Sequence, residues 1–321
     1  MMRFFENILV FYNEEFAGIK TGVVRLVRKS QARLKIIDVF DNLDPYLELL
    51  PPSTSIDELK ELLIAERRTE IMRHFEGDSD IREQFTVIVK FGNPVVEIIK
   101  EAIQGGHDLV VKAASGRRTL KERLFGNIAV KLIRKCPCPV LIVKPSEAAS
   151  FQKVLVPLDT PTAGETSAGT GEQGDHICRR ILDVSISVAR LESSHLDILH
   201  CWFLPGETLL ASGRTRIAPD KLNQMRVLAK KIHSQKISTL MAGYDLSDVG
   251  HSIVVLKGDP GEMIVEYADK NSIDLIVMGA VARSGLSGLL IGSTAEKVID
   301  RVDCSVLTVK PASFKSPITV M

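Results

Sequence analysis

The chain has 321 residues with 41 basic and 40 acidic side chains, a formal net charge of +1, so it carries no electrostatic footprint for DNA or an anionic membrane surface. Its length suits two domains, each near the common size of about 100–150 residues. The five cysteines, an odd count with no paired framework, fit a reducing cytoplasm.

In chain order, the first apolar run, Ile8–Tyr12, is too short for a signal-peptide core or a membrane span and belongs to a strand over Asn7–Tyr12. After Asn13 a helical stretch runs toward Lys29, followed by a second strand over Leu34–Phe40. Ser53-Thr54-Ser55 precedes a helical segment, Ile56–Glu76, whose Leu59, Leu62, Leu63, Ile71 and Phe75 fall roughly on one face. A third strand spans Phe85–Lys90, and Gly92-Asn93-Pro94 turns it into a helix through Val95, Val96, Ile98 and Ile99. A fourth strand, Asp108–Val111, a helix over Ile128–Arg134 and a fifth strand, Pro139–Val143, complete the series. The order then repeats, with strands near 153–158, 196–201, 252–256, 273–278 and 305–309. Apolar strands alternating with helices imply parallel sheets covered on both faces by right-handed crossovers. The expected fold class is α/β, two tandem doubly wound five-stranded parallel-sheet domains over residues 1–147 and 151–313.

The repeat is visible residue by residue. Adding 166 carries Asp108 onto Asp274, Leu109 onto Leu275, Val111 onto Val277, Arg117 onto Arg283, Gly126 onto Gly292, and Lys131 onto Lys297. Cys138 meets Cys304, Val143-Lys144-Pro145 meets Val309-Lys310-Pro311, and Gly92-Asn93-Pro94 meets Gly258-Asp259-Pro260. At the start the register slips, Ile8-Leu9-Val10 answering Val154-Leu155-Val156, so the second copy holds extra residues after its first strand. So many matches in matching contexts mark an internal duplication. The extra residues, 160–176, have almost nothing to bury and read as a loop over the strand ends, either a lid or an idle surface insertion.

Ligands on such sheets sit beyond the carboxyl ends of the strands, at the switch point, where Asp159 and Gly279 both fall. The strand through Ile273–Met278 runs by Gly279 and a glycine-rich loop into Gly292-Ser293-Thr294 and a helix. That arrangement aims backbone N–H groups and a helix dipole at one spot, which suits a phosphate. Read plainly, Asp159 is either a turn or cap aspartate or a ligand contact, and Gly292-Ser293-Thr294 caps a helix, a role compatible with anion binding.

Gly258-Asp259-Pro260, Asp274-Leu275-Ile276-Val277-Met278-Gly279 and Gly292-Ser293-Thr294-Ala295-Glu296-Lys297-Val298 resemble the universal stress protein family, and the tandem arrangement resembles its two-domain members from Ile8 to Pro311. The resemblance implies a Rossmann-like fold, a cytoplasmic stress-response role that is regulatory rather than catalytic, and ATP or a related nucleotide as ligand. It implies that Asp159 contacts the adenosine moiety, that the backbone near Cys201 edges the base, and that Gly279 opens the phosphate motif. Arg283, Gly292, Ser293 and Thr294 would lie along the phosphates. The motif's second glycine is Ala282 here, where a positive φ would cost about 1–2 kcal/mol. In the first copy the aspartate position holds Asn13, the opening glycine is Ala113, and Asn127 follows Gly126, so that copy is expected to be a structural partner. The family's dimerisation through its last strand implies pairing of Val140–Val143 with Val306–Val309 within the chain and leaves homo-oligomers open.

Two other functions stay open alongside: a ligand-free interaction scaffold and a slow ATP-hydrolysing enzyme. No Gly-x4-Gly-Lys-Ser/Thr loop and no Gly-x-Ser-x-Gly elbow occurs in the sequence. Asp175, His176, Cys178, His200 and Cys201 match no zinc spacing, and the sequence specifies no metal. Cys136-Pro137-Cys138 has the wrong spacing for a thioredoxin-like pair, and Pro137 and Pro139 suit strand entry.

Overall fold

The computed structural model describes residues 5–41, 55–115, 126–145, 150–159, 170–211, 217–280 and 291–320. They form two compact units. The first holds the chain up to Ser150 and, from its far end, the segment from Ser305 onward. The second holds Phe151 to Ala280 together with Gly292–Cys304.

In the first unit β1 (Asn7–Phe11), α1 (Lys20–Ser30), β2 (Arg33–Phe40), α2 (Ile56–Arg73), β3 (Phe85–Phe91), α3 (Pro94–Gln104), β4 (Leu109–Ala113), α4 (Gly126–Lys135) and β5 (Val140–Val143) follow one another. The strands lie parallel in the order β3-β2-β1-β4-β5, the doubly wound pattern that places a switch point between β1 and β4. The second unit repeats this with β6 (Lys153–Pro157), α5 (Thr170–Glu192), β7 (His195–Trp202), the short α6 (Glu207–Ala211), α7 (Pro219–Met241), β8 (His251–Lys257), α8 (Pro260–Asn271), β9 (Leu275–Gly279) and α9 (Ser293–Arg301), its parallel strands ordered β8-β7-β6-β9. The last strand, β10 (Ser305–Val309), runs antiparallel to β5 and is counted with the first unit, with Val306 opposite Ile142 and Thr308 opposite Val140.

Central strands are buried on both faces, as a sheet sandwiched between helices requires: Ile8, Leu9 and Val10 in β1 and Val154, Leu155 and Val156 in β6 have no exposed surface. The duplicated residues do the same work twice. Before β4, the Asp108 carboxylate accepts the backbone N–H groups of Glu6 and Asn7 at 2.6 and 3.1 Å; before β9, Asp274 accepts those of Gln152 and Lys153 at 2.8 and 2.9 Å. Each aspartate thus pins the entry of its unit's first strand to the neighbouring strand.

The Gly-Asx-Pro turns are equally alike. Gly92 and Gly258 have φ of +135° and +152°, conformations that side chains rarely adopt. Asn93 then caps α3 by accepting from Val95 and Val96, and Asp259 caps α8 by accepting from Glu262. Proline occupies the first helical position in both, where its missing N–H costs nothing.

Two expectations need correction. The segment 160–176 is not a loop throughout: α5 begins at Thr170, so residues 170–176 are helical, while 160–169 lie outside the described residues. Once Ile181, Leu182, Val184 and Val188 anchor α5 in the core, adding N-terminal turns is inexpensive because helix propagation follows nucleation. In α2 the expected apolar face is only partly sealed: Ile71 is buried, Leu59 and Leu63 are half-buried, and Leu62 is 65% exposed. That helix ends at Arg73 and packs on β3, an edge strand, which offers it less surface than a central strand would.

Candidate functional site

At the carboxyl ends of β6, β7 and β9 the second unit contains a cavity of about 450 Å³. Its floor is the strand ends, with Pro157, Leu158 and Asp159 from β6, Leu199 and Cys201 from β7, and Met278 and Gly279 from β9. One wall is α5, through Ile177, Cys178 and Ile181; the first turn of α8 supplies Pro260 and Ile264. The N-terminus of α9, Gly292 to Ala295, closes the remaining side. The lining is mostly apolar, with polar groups converging from a few points, the usual make-up of a small-molecule site.

Local sequence explains each wall. The Leu158 N–H donates to the Leu199 carbonyl at 2.8 Å, extending the sheet one residue past β6 and fixing where Asp159 stands. The Cys178 thiol donates to the Asp159 carbonyl at 2.9 Å and ties that corner to α5. Gly279 lets α5 approach: a Cβ there would lie 3.2 Å from the Cδ1 of Ile181. Gly292 is the N-cap of α9 and has no side chain to cap it; its N–H donates to Ala280 at 3.1 Å while its carbonyl accepts from Glu296. Ser293, Thr294 and Ala295 are therefore the first turn of a helix whose N-terminus, the positive end of its dipole, borders the cavity.

Electrostatics around the cavity are set by burial and one ion pair. Burial, with help from Asp159 and Asp259, pushes the Cys201 thiol up to about 12, so it is neutral at physiological pH. The Lys297 ammonium lies 3.0 Å from Asp259 and holds that carboxyl below its ordinary range. This pair joins the N-cap of α8 to the second turn of α9. The two helices pack closely enough that a Cβ on Gly261 would come within 2.6 Å of the Lys297 side chain. Behind the floor, buried His200 shares its Nδ1 with the Leu158 carbonyl at 2.9 Å and its Nε2 with His233 of α7 at 2.8 Å. The two rings stack, and Trp202 stacks on His233 in turn.

Of the residues singled out in the sequence, Asp159, Cys201, Gly279, Gly292, Ser293 and Thr294 all border this one cavity. Ala282 and Arg283 lie outside the described residues. Gly292, rather than Ser293, takes the N-cap position of α9. His200 and Cys178 face different groups, and among the described residues no cluster of three or more His, Cys, Asp or Glu side chains is placed to hold a metal ion. Sequence reasoning missed the apolar wall of Ile177 and Ile181, although their four-residue spacing on a helix was available to find it. It also missed His233, whose contact depends on how α7 packs and leaves no local signal.

A tandem doubly wound α/β protein with such a crevice belongs to a defined class. The sequence model of the universal stress protein family matches residues 17–144 and again 150–310, and the chain is a member of that family. It is 26% identical to the universal stress protein E homolog of Haemophilus influenzae, over 96% of this chain and 98% of that protein. It is 28% identical to universal stress protein E of Escherichia coli K12 over 72% of this chain and 69% of that one. In fold it resembles a crystal structure of a universal stress protein from Archaeoglobus fulgidus, with a TM-score of 0.62, 18% identity and coverage of 95% of this chain and 98% of the other. A functionally unknown protein from Pseudomonas aeruginosa PAO1 matches with a TM-score of 0.66 and 20% identity over 97% of this chain and 94% of its own. No helix among the described residues is long and apolar enough to cross a membrane.

Proposed function

We propose that the protein is a cytoplasmic stress-response regulator whose second half binds one ATP or related nucleotide, without dedicated catalysis, while the first half serves as a structural partner. Membership of the universal stress protein family supports the stress-response role. One observation carries the ligand: a cavity of about 450 Å³, a volume that suits a small molecule, meets Asp159 on one side and the open first turn of α9 on the other. Asp159 offers a charged acceptor for ribose or base N–H and O–H groups, and the N–H groups at Ser293–Ala295 offer donors for phosphate. The apolar faces of Ile177, Ile181 and Ile264 suit a flat base.

Catalysis is left out because phosphoryl transfer needs a positioned nucleophile and base, and the cavity's described side chains assemble neither. The Cys201 thiol is protonated at neutral pH, and Asp259 is tied to Lys297. Mass spectrometry of gently purified protein under non-denaturing conditions tests the reading. One adenine nucleotide bound per chain, displaced by added ATP, is the expected result. Protein that purifies empty and stays empty at millimolar ATP would reject it in favour of a ligand-free scaffold.

A further inference from the structure

Cys136 and Cys138 bracket Pro137 where α4 hands over to β5. The bend turns both side chains to one side, and their sulfurs stand 3.4 Å apart as free thiols. Cys136 is fully buried, whereas Cys138 keeps part of its surface exposed. A third group completes the cluster. Lys310, just past β10 in the same unit, is 3% exposed; its ammonium donates to the Cys136 carbonyl and lies 4.1 Å from the centre of the Phe314 ring. No carboxylate among the described residues forms an ion pair with it, so the anion this buried cation can offset is a thiolate.

Packing alone does not call for two thiols here. The internal repeat places Val302, 1% exposed, at the position of Cys136, and Cys304 at that of Cys138. A valine therefore fills the site of Cys136 in the second copy, and only the first copy has a sulfur within reach of its neighbour. The buried ammonium and the Cys138 S–H both favour the charged form of Cys136, and its thiol is lowered, chiefly by the bond with Cys138. The same environment depresses Lys310 to about 8 through burial.

We propose that Cys136 and Cys138 form a peroxide-responsive dithiol that closes to an intramolecular disulfide, with Lys310 as the positioning residue. Peroxide meets the pair at Cys138, the sulfur with exposed surface; with the shared proton moved across the 3.4 Å contact to Cys136, the Cys138 thiolate attacks one oxygen of hydrogen peroxide, the O–O bond breaks, and the departing hydroxide takes a proton to leave as water. The attacked sulfur becomes a sulfenic acid. The second sulfur, losing its proton, then attacks the sulfenic sulfur; the S–O bond breaks and a second water leaves. Two thiols are oxidised and one peroxide is reduced to two waters. A ring closed over only one intervening residue is strained, so thiol reductants reopen it. The modification is reversible, and it lies in the half of the chain to which no ligand has been assigned.

The test treats the full-length protein with hydrogen peroxide, blocks remaining thiols with N-ethylmaleimide, and maps tryptic peptides by mass. Both cysteines fall in one peptide beginning at Cys136, so closure appears as a peptide lighter by two hydrogens and free of label. Dithiothreitol should restore both labels. Cys136→Val, the residue the second copy uses there, should abolish the lighter peptide without unfolding the chain. Lys310→Met should slow closure about tenfold at neutral pH and move its pH profile upward, with Lys310→Arg restoring both. A wild-type peptide that stays fully labelled, or that gains oxygen without losing two hydrogens, would overturn the dithiol. An unchanged pH profile in Lys310→Met would remove the lysine from the proposal.

Discussion

Just past β6 stand Leu158 and Asp159, just past β1 stand Tyr12 and Asn13, and the same corner is finished in two ways. The backbone is shared: Tyr12 N–H donates to the Ile37 carbonyl at 2.8 Å, as Leu158 does to Leu199. In the first half polar side chains then meet one another across the strand ends. Tyr12 donates to Glu70 at 3.0 Å and meets His74 at 3.1 Å; Arg67 of α2 pairs with buried Asp38 and lies over the rings of Tyr12 and Phe40. Lys112, at the position of Met278 in the other half, is buried and donates to its neighbour's carbonyl at 2.6 Å. In the second half the place of Asp38 is taken by His200, whose partner His233 sits behind the strands, and Gly279 replaces Ala113. Packed polar and aromatic side chains fill the first corner, although buried Asn13 Oδ1 accepts no hydrogen bond there, while apolar walls and small residues leave a cavity in the second.

The sharpest test of equivalence is in the cores. Leu9→Ala and Leu155→Ala, at matching sites with no exposed surface, should each destabilise their own half by about 2–5 kcal/mol in urea unfolding. A cost below about 1 kcal/mol at either site would break the structural parallel. Next come the strand-entry aspartates. Asp108→Ala and Asp274→Ala each remove two backbone hydrogen bonds to a carboxylate and should cost about 1–3 kcal/mol, with similar values in the two halves.

Acid should act on both halves through different histidines. Burial lowers His107 in the first half and His233 in the second below the ordinary 6.5, the latter also through His200 and Lys236. A depressed value means that the folded state prefers the neutral ring. Its contribution is complete above pH 6.5 and is lost as pH falls through the lowered value. Urea midpoints measured down the pH scale should decline over this range, and His107→Gln or His233→Gln should flatten the decline of its own half only. A profile unchanged by both substitutions would remove the histidines from the acid response. The smallest effect is expected at Gly279→Ala, whose Cβ must be accommodated by Ile181; a cost of about 1 kcal/mol, relieved by Ile181→Val, should appear in a double-mutant cycle.

Much of this was legible in the sequence because the parts concerned are local. Strand and helix order, the Gly-Asx-Pro caps and the repeat register depend on residues near one another in the chain, and the copies reinforce each other's signal. The strand-end location of Asp159, Cys201, Gly279 and Gly292 followed from the doubly wound topology. What escaped depends on packing at a distance. The helical start of α5 at Thr170 is driven by apolar residues further along it, and the half-exposed face of α2 reflects an edge strand that no helical period announces. The 3.4 Å contact of Cys136 with Cys138 arises from a bend, and the approach of Lys310 from the pairing of β10 with β5.

Equilibrium dialysis of the full-length protein against labelled ATP, with Asp159→Ala and Asn13→Ala run beside the wild type, reaches the central claim most directly. The account predicts one nucleotide per chain, affinity reduced at least about tenfold by Asp159→Ala, and no change with Asn13→Ala. Two nucleotides per chain, or equal retention by wild type and Asp159→Ala, would contradict it.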